Sequence, residues 1–162
     1  MTILSRSRCQ QDHSDRRGGQ ALVEFSLALI PFVLILLGIF DLGRGIYMNN
    51  GVSEAAREIA RATAVHPCDT SSCTLGNSAE TLAVITTQKG LIPGLGSASS
   101  SVTFACTTVS DVVVTGNPSC AGTPQQPLYV RVTVQVPFSV LTPVLSMVAP
   151  STLQSTAHTQ VP

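Results

Sequence analysis

Few side chains in this sequence are placed to do chemistry, and most stand apart from one another. The three histidines, His13, His66 and His158, fall in a basic leader, at the end of a helical run and in a polar tail. The carboxylates Asp69, Glu80 and Asp111 are too scattered for a general acid/base pair. No Gly-x-Ser-x-Gly, His-Glu-x-x-His or phosphate-cradling glycine loop occurs. The chain is therefore read as no enzyme, with no cofactor, no metal and no small-molecule substrate. Lys89 and Arg131 alone make no basic patch and the formal net charge is zero, so no nucleic-acid partner is expected. Two chemical features remain: Glu24, the only charge between Ala21 and Phe40, and the cysteines Cys68, Cys73, Cys106 and Cys120.

Glu24 is conspicuous because of what surrounds it. Of the 20 residues from Ala21 to Phe40, 14 are Leu, Ile, Val or Phe. A helix rises about 1.5 Å per residue, so such a run covers roughly the 30 Å hydrocarbon core of a bilayer. On the insertion scale those residues sum to about −4 to −8 kcal/mol, against about +2.5 to +3.5 for one charge even at the centre. The run is read as a membrane span. Ionisable residues inside membranes point to a functional partner; the alternative for Glu24, four residues into the run, is to snorkel to the headgroups. Pro31 lies mid-span and removes a backbone donor, which predicts a loosened turn or kink.

Charge asymmetry sets the orientation. Arg6, Arg8, Arg16 and Arg17 precede the run, and only Arg44 follows it closely. The positive-inside rule keeps that N-terminus in the cytoplasm and places everything from Asp41 onward outside it. The run is longer than the apolar core of a cleaved secretory signal and no Ala-x-Ala site follows it before Asp41. An uncleaved signal anchor carrying an extracytoplasmic binding domain is the plain alternative. Four cysteines in an oxidising compartment read as two disulfides. Three connectivities exist, and Cys68–Cys73 with Cys106–Cys120 is favoured as closest in sequence. A zinc site at His66, Cys68 and Cys73 is disfavoured by its irregular spacing.

Along the chain, residues 1–19 are polar and expected to be disordered. Beyond the span, Val52, Ala55, Ala56, Ile59, Ala60 and Thr63 recur at helical spacing opposite Glu54, Arg57, Glu58 and Arg61. This amphipathic extension, residues 43–66, has a narrow face suited to packing on the protein's own domain, or alternatively on neighbouring copies. Gly43 and Gly45 mark a soft point before it, and His66-Pro67 ends it. Ser78 caps a short helix over Ala79–Lys89. Val102–Val109 and Val112–Thr115 read as strands, and Leu128–Val136 alternates strictly, with valines at 130, 132, 134 and 136. Phe138–Met147 is an apolar connection, and Thr152–Val161 a weaker returning strand. The expected fold is α+β: one long N-terminal transmembrane and amphipathic helix on a small antiparallel sheet, with a leader at 1–19, a span at 20–42 and an outer domain at 67–162.

The quoted residues resemble a known family. A basic leader ends in Gly19, an apolar helix follows, and Glu24 is the fifth residue after that glycine, as at the processing site of type IV prepilins. Gln20-Ala-Leu-Val-Glu-Phe, Phe40-Asp41-Leu-Gly-Arg44 and Glu54-Ala-Ala-Arg-Glu-Ile-Ala-Arg61 together are similar to the TadE-like family, the minor pilins or pseudopilins of the tight-adherence (Flp) pilus system. The apolar Val136–Pro143 run is also similar to a family feature. The resemblance implies a type IV pilin-like fold in the bacterial inner membrane, cleavage by prepilin peptidase between Gly19 and Gln20, and Glu24 as the processing and assembly glutamate. The partners it implies are the membrane, that peptidase, and other pilin subunits with their assembly machinery, in adhesion or secretion. Flp-type major pilins are very short, so an outer domain of this size favours the minor class.

Overall fold

The computed structural model describes residues 14–67, 74–117, 119–142, 145–147 and 149–162. One helix, α1 (Ser14–Val65), runs through 52 residues and carries both the apolar run and the amphipathic extension. It starts earlier than the composition suggests: residues 14–19, expected to be disordered, are helical. Helix elongation costs far less than nucleation, so a strongly apolar helix extends backward through polar residues, including two glycines. Pro31 lies inside α1 without ending it; the carbonyl four residues back, on Leu27, has no N–H to accept from there. Ser26 donates its hydroxyl to the Leu22 carbonyl at 2.7 Å, keeping that polar group satisfied within the apolar run.

The sheet has three antiparallel strands in the order β1 (Ser101–Thr107), β2 (Tyr129–Pro137) and β3 (Thr152–Gln160). The alternation in β2 is borne out residue by residue, with Val130, Val132, Val134 and Val136 fully buried. Val102, Phe104 and Cys106 on β1, and Leu153, Ser155, Ala157 and Thr159 on β3, lie opposite these valines. The wet face holds Thr133 against Thr156 and Gln135 against Gln154, both hydrogen-bonded across the strands. β3 pairs with β2 along all nine residues, so it is a full strand rather than a weak return.

The C-terminal half of α1 lies on this sheet through Met48, Val52, Ala55, Ala56, Ile59, Ala60 and Ala64, all buried. The face is therefore used on the protein's own domain, and its alanines let the helix backbone approach the valine layer closely. Ser53 and Ser155 meet across the seam at 3.1 Å. A second helix, α2 (Ala79–Leu91), is capped by Ser78, whose Oγ accepts from the Thr81 N–H, and Thr81 in turn donates to Thr63 on α1. Before it, Gly76 has φ +84°, and a Cβ there would lie 2.6 Å from the Phe104 ring. Only glycine suits both demands.

The expected strand at Val112–Thr115 does not form. Thr107 and Val113 share one isolated bridge, Val114 N–H donates to the Cys106 carbonyl, and Val112 and Val113 stay exposed. β1 likewise stops at Thr107 rather than Val109. With no layer covering these valines, ladder pairing has no buried face to reinforce it. The turn places Asp111 at φ 60°, where its carboxylate takes both oxygens to the Arg131 guanidinium at 3.0 and 3.1 Å.

Cys106 and Cys120 form a disulfide with a sequence separation of 14, as expected; Cys68 and Cys73 lie outside the described residues. In the chain-entropy account a loop of this length contributes about 3 kcal/mol. Replacing Cys106 and Cys120 together by serine is expected to lower the stability of the outer domain by about that amount. Denaturant titration of the full chain in detergent measures it; an unchanged midpoint would show that the bridge constrains little.

Candidate functional site

Two regions of α1 differ sharply in what they touch. From Gly19 to Phe40 every residue is exposed except Gly38, which is half-buried. Leu22, Phe25, Phe32 and Ile39 are each 60% exposed or more, so this half has no partner within the described chain. The segment is long and apolar enough to cross a membrane. Glu24 is exposed among these residues, and among the described residues it forms no hydrogen bond or ion pair. Gln20 and Glu24 are four residues apart in one helix, so they share a face one turn apart. The site residues Gly19, Gln20 and Glu24 thus lie together at one end of a bare apolar rod, inside α1.

At the other end of the rod, the helix is fastened to the outer domain. Asp41 is 2% exposed. Its carboxylate accepts the Leu141 N–H at 3.0–3.1 Å, the Thr142 N–H at 2.8 Å and the Thr142 hydroxyl at 2.7 Å. One turn on, Arg44 donates to the Ser139 carbonyl at 2.9 Å and its guanidinium lies 5.4 Å from the centre of the Phe138 ring. The same ring sits 3.4 Å from where a Cβ on Gly45 would project. α1 is helical through both Gly43 and Gly45.

This clasp joins two stretches 100 residues apart, Asp41–Gly45 and Phe138–Thr142. Both were singled out in the sequence separately, without any indication that they meet. The available signal is the chemistry of Asp41: a carboxylate directly after an apolar run, with no cation in the preceding turn, must find donors elsewhere. A peptide segment with free N–H groups, closing off β2, supplies them. Charge-assisted hydrogen bonds of this kind are shorter and roughly twice as strong as neutral ones. The clasp fixes where the outer domain stands relative to the end of the rod.

Among the described residues no cluster of His, Cys, Asp and Glu is arranged to hold a metal ion. The Asp111–Arg131 ion pair lies at the surface, with His158 on the wet face of the sheet 3.8 Å from Asp111. The cavity beside the clasp is an open apolar groove of about 690 Å³.

These features define an α+β protein with a projecting apolar helix and a small antiparallel sheet clasped to the helix where the apolar run ends. Residues 19–61 match the family model described as TadE-like protein. The matched segment begins at Gly19, contains Glu24, Asp41 and Arg44, and ends at Arg61 on the half of α1 that packs on the sheet. The match suggests involvement in the Tad pilus system. Comparison with curated proteins and with solved structures returned no match.

Proposed function

We propose that the chain is a minor pilin or pseudopilin of a Tad/Flp-type pilus, working by assembly rather than catalysis. In this reading it is anchored once in the bacterial cytoplasmic membrane, with the N-terminus cytoplasmic and the sheet domain outside. Prepilin peptidase removes the leader between Gly19 and Gln20, making Glu24 the fifth residue of the mature chain. The new α-amino group has a reference pKa of about 7.7–8.0, so it is largely charged at neutral pH. Glu24 then neutralises that amine, one turn away or on a neighbouring subunit, inside a bundle of apolar helices. Lateral packing of these helices recruits the protein to the pilus machinery, where it initiates, supports or regulates a filament used in adhesion or secretion.

The observation that carries this reading is the family match over 19–61 on a helix whose apolar run, Ala21–Phe40, is bare and carries one carboxylate, Glu24, without a partner among the described residues. The Gly19–Gln20 bond lies within α1, so a peptidase must unwind the helix to reach it. Two adjacent glycines make that easier by about 2 kcal/mol relative to alanines.

Co-expression of the full chain with and without a prepilin peptidase, followed by N-terminal sequencing, tests the proposal. The expected mature chain begins at Gln20 only when the peptidase is present, and Gly19→Ala is expected to leave the precursor uncut. A native protein that keeps residues 1–19 would instead favour a signal-anchored binding domain unrelated to pili.

A further inference from the structure

The apolar groove beside the clasp is walled on one side by α1, through Ile35, Ile39, Leu42 and Ile46, and on the other by Phe138 and Val140. Its α1 wall continues the bare face of the apolar run without a break. The opposite wall belongs to the connection between β2 and β3, which presents Leu141 at 60% and Met147 at 89% exposure. From Val132 to Pro162 there is no Asp, Glu, Lys or Arg, so the connection brings no fixed charge of its own into an apolar phase; the charges beside it, Asp41 and Arg44, are both bonded to it.

Depth is set by the clasp. If Ala21–Phe40 fills the roughly 30 Å hydrocarbon core, Asp41 stands at its outer boundary. The Leu141 N–H is 3.0–3.1 Å from the Asp41 carboxylate, which holds Leu141 at that same boundary. An exposed leucine and an open, largely apolar groove are thus placed at one level, and the turn that carries the exposed Met147 follows directly, its Ser146 N–H donating to the Thr142 carbonyl at 3.3 Å. The medium resident at that level is the acyl-chain region of the facing leaflet.

We propose that the described residues of the β2–β3 connection form a second membrane contact: Leu141 and Met147 insert among the lipids of the extracytoplasmic leaflet, and the groove takes a lipid acyl chain. The occupant is lipid, because the groove wall is continuous with the lipid-facing side of the span and lipid is present there at far higher concentration than any protein. The contact adds a second point on the bilayer to the span, so that α1, with the outer domain packed and clasped on it, sits at a set tilt and rotation. This rests on the reading that α1 spans the membrane.

The chain contains no tryptophan, so single-tryptophan variants report depth without background. The full chain carrying Leu141→Trp or Met147→Trp is reconstituted in phosphatidylglycerol/phosphatidylcholine vesicles with acyl chains brominated near the carbonyl end. Leu34→Trp serves as a mid-span reference and Val109→Trp as a reference on the outer domain. Loss of emission for Leu141→Trp and Met147→Trp, with none for Val109→Trp, is expected. Quenching of Leu34→Trp by deeply brominated lipid, without quenching at 141 and 147, overturns the proposal while leaving the span intact. Absence of quenching at all three sites overturns the span together with it. Shielding of 141 and 147 from both brominated lipid and aqueous iodide, at every protein-to-lipid ratio, overturns it in favour of a second copy in the groove. The far-UV spectrum of each variant confirms folding, and the high exposure of both sites makes the substitutions mild.

Discussion

Glu24→Ala is expected to leave membrane insertion intact and to abolish incorporation into the pilus machinery. The two outcomes separate because they draw on different energies. Insertion depends on the 14 Leu, Ile, Val and Phe residues between Ala21 and Phe40, and removing the one carboxylate makes it more favourable, by up to about 3 kcal/mol. In the proposed reading, assembly depends on what that carboxylate does once it is in the bilayer. Among the described residues it has no partner, so an amine from a cleaved subunit has no rival within them. In a low-dielectric bundle an amine without its counter-ion stays costly, so helices lacking Glu24 are expected to pack without a fixed register or not at all. Glu24→Gln keeps the size and hydrogen-bonding capacity but loses the charge, and should resemble alanine if neutralisation is the role. Membrane fractionation and counts of surface pili measure the two effects. Normal piliation in the alanine variant would remove Glu24 from the mechanism.

The second large effect is expected at Asp41. Asp41→Ala removes the acceptor for three donors at once, the Leu141 and Thr142 N–H groups and the Thr142 hydroxyl. Two of these are backbone groups that cannot rotate away to find another partner. The Phe138–Thr142 stretch then keeps the Arg44 contacts and the packing of Phe138 on the core as its ties to α1. The valine core lies further along α1 and meets the clasp at Phe138, which Asp41 does not bond, so the sheet should remain folded. Limited proteolysis of the full chain in detergent is expected to cut the β2–β3 connection at least about tenfold faster than in the parent, a factor corresponding to loss of one charge-assisted hydrogen bond. Asp41→Asn, which keeps one acceptor oxygen, should fall between the two. Equal cleavage rates in all three proteins would mean that the clasp contributes nothing to holding the outer domain. The two variants also differ in readout: Glu24→Ala should leave the proteolysis pattern untouched.

Much of the architecture was legible before any coordinates. Local period and local composition carry the signals that specify single elements, and here these were strong. Fourteen large apolar residues in 20 admit only a continuous buried or membrane helix. The Val130–Val136 alternation admits only a strand with one covered face. Small residues at 55, 56 and 60 on one helical face foretold close packing, and Ser78 foretold the start of α2. Where the reading failed, the local signal was real but unsupported. Val112–Thr115 has β-branched residues and flanking turns, yet only Val114 reaches the core while Val112 and Val113 stay exposed, and one bridge is all that forms.

The residues alone therefore determined a membrane-length helix with one acid near its start, an amphipathic continuation, a half-buried sheet and a cystine near the end of its first strand. Only the tertiary structure decided what the end of the helix is attached to. Asp41, Arg44 and Gly45 are ordinary in isolation, and so are Phe138 and Thr142. Hydrogen bonding between segments 100 residues apart depends on how β2 leaves the sheet and on the angle at which α1 crosses it, and neither is written in any local period. The fold also decided which half of α1 is spoken for: the alanine face is covered by valines, while the leucine- and phenylalanine-rich half is left bare, because one small sheet has only enough inner surface for one half of a 52-residue helix.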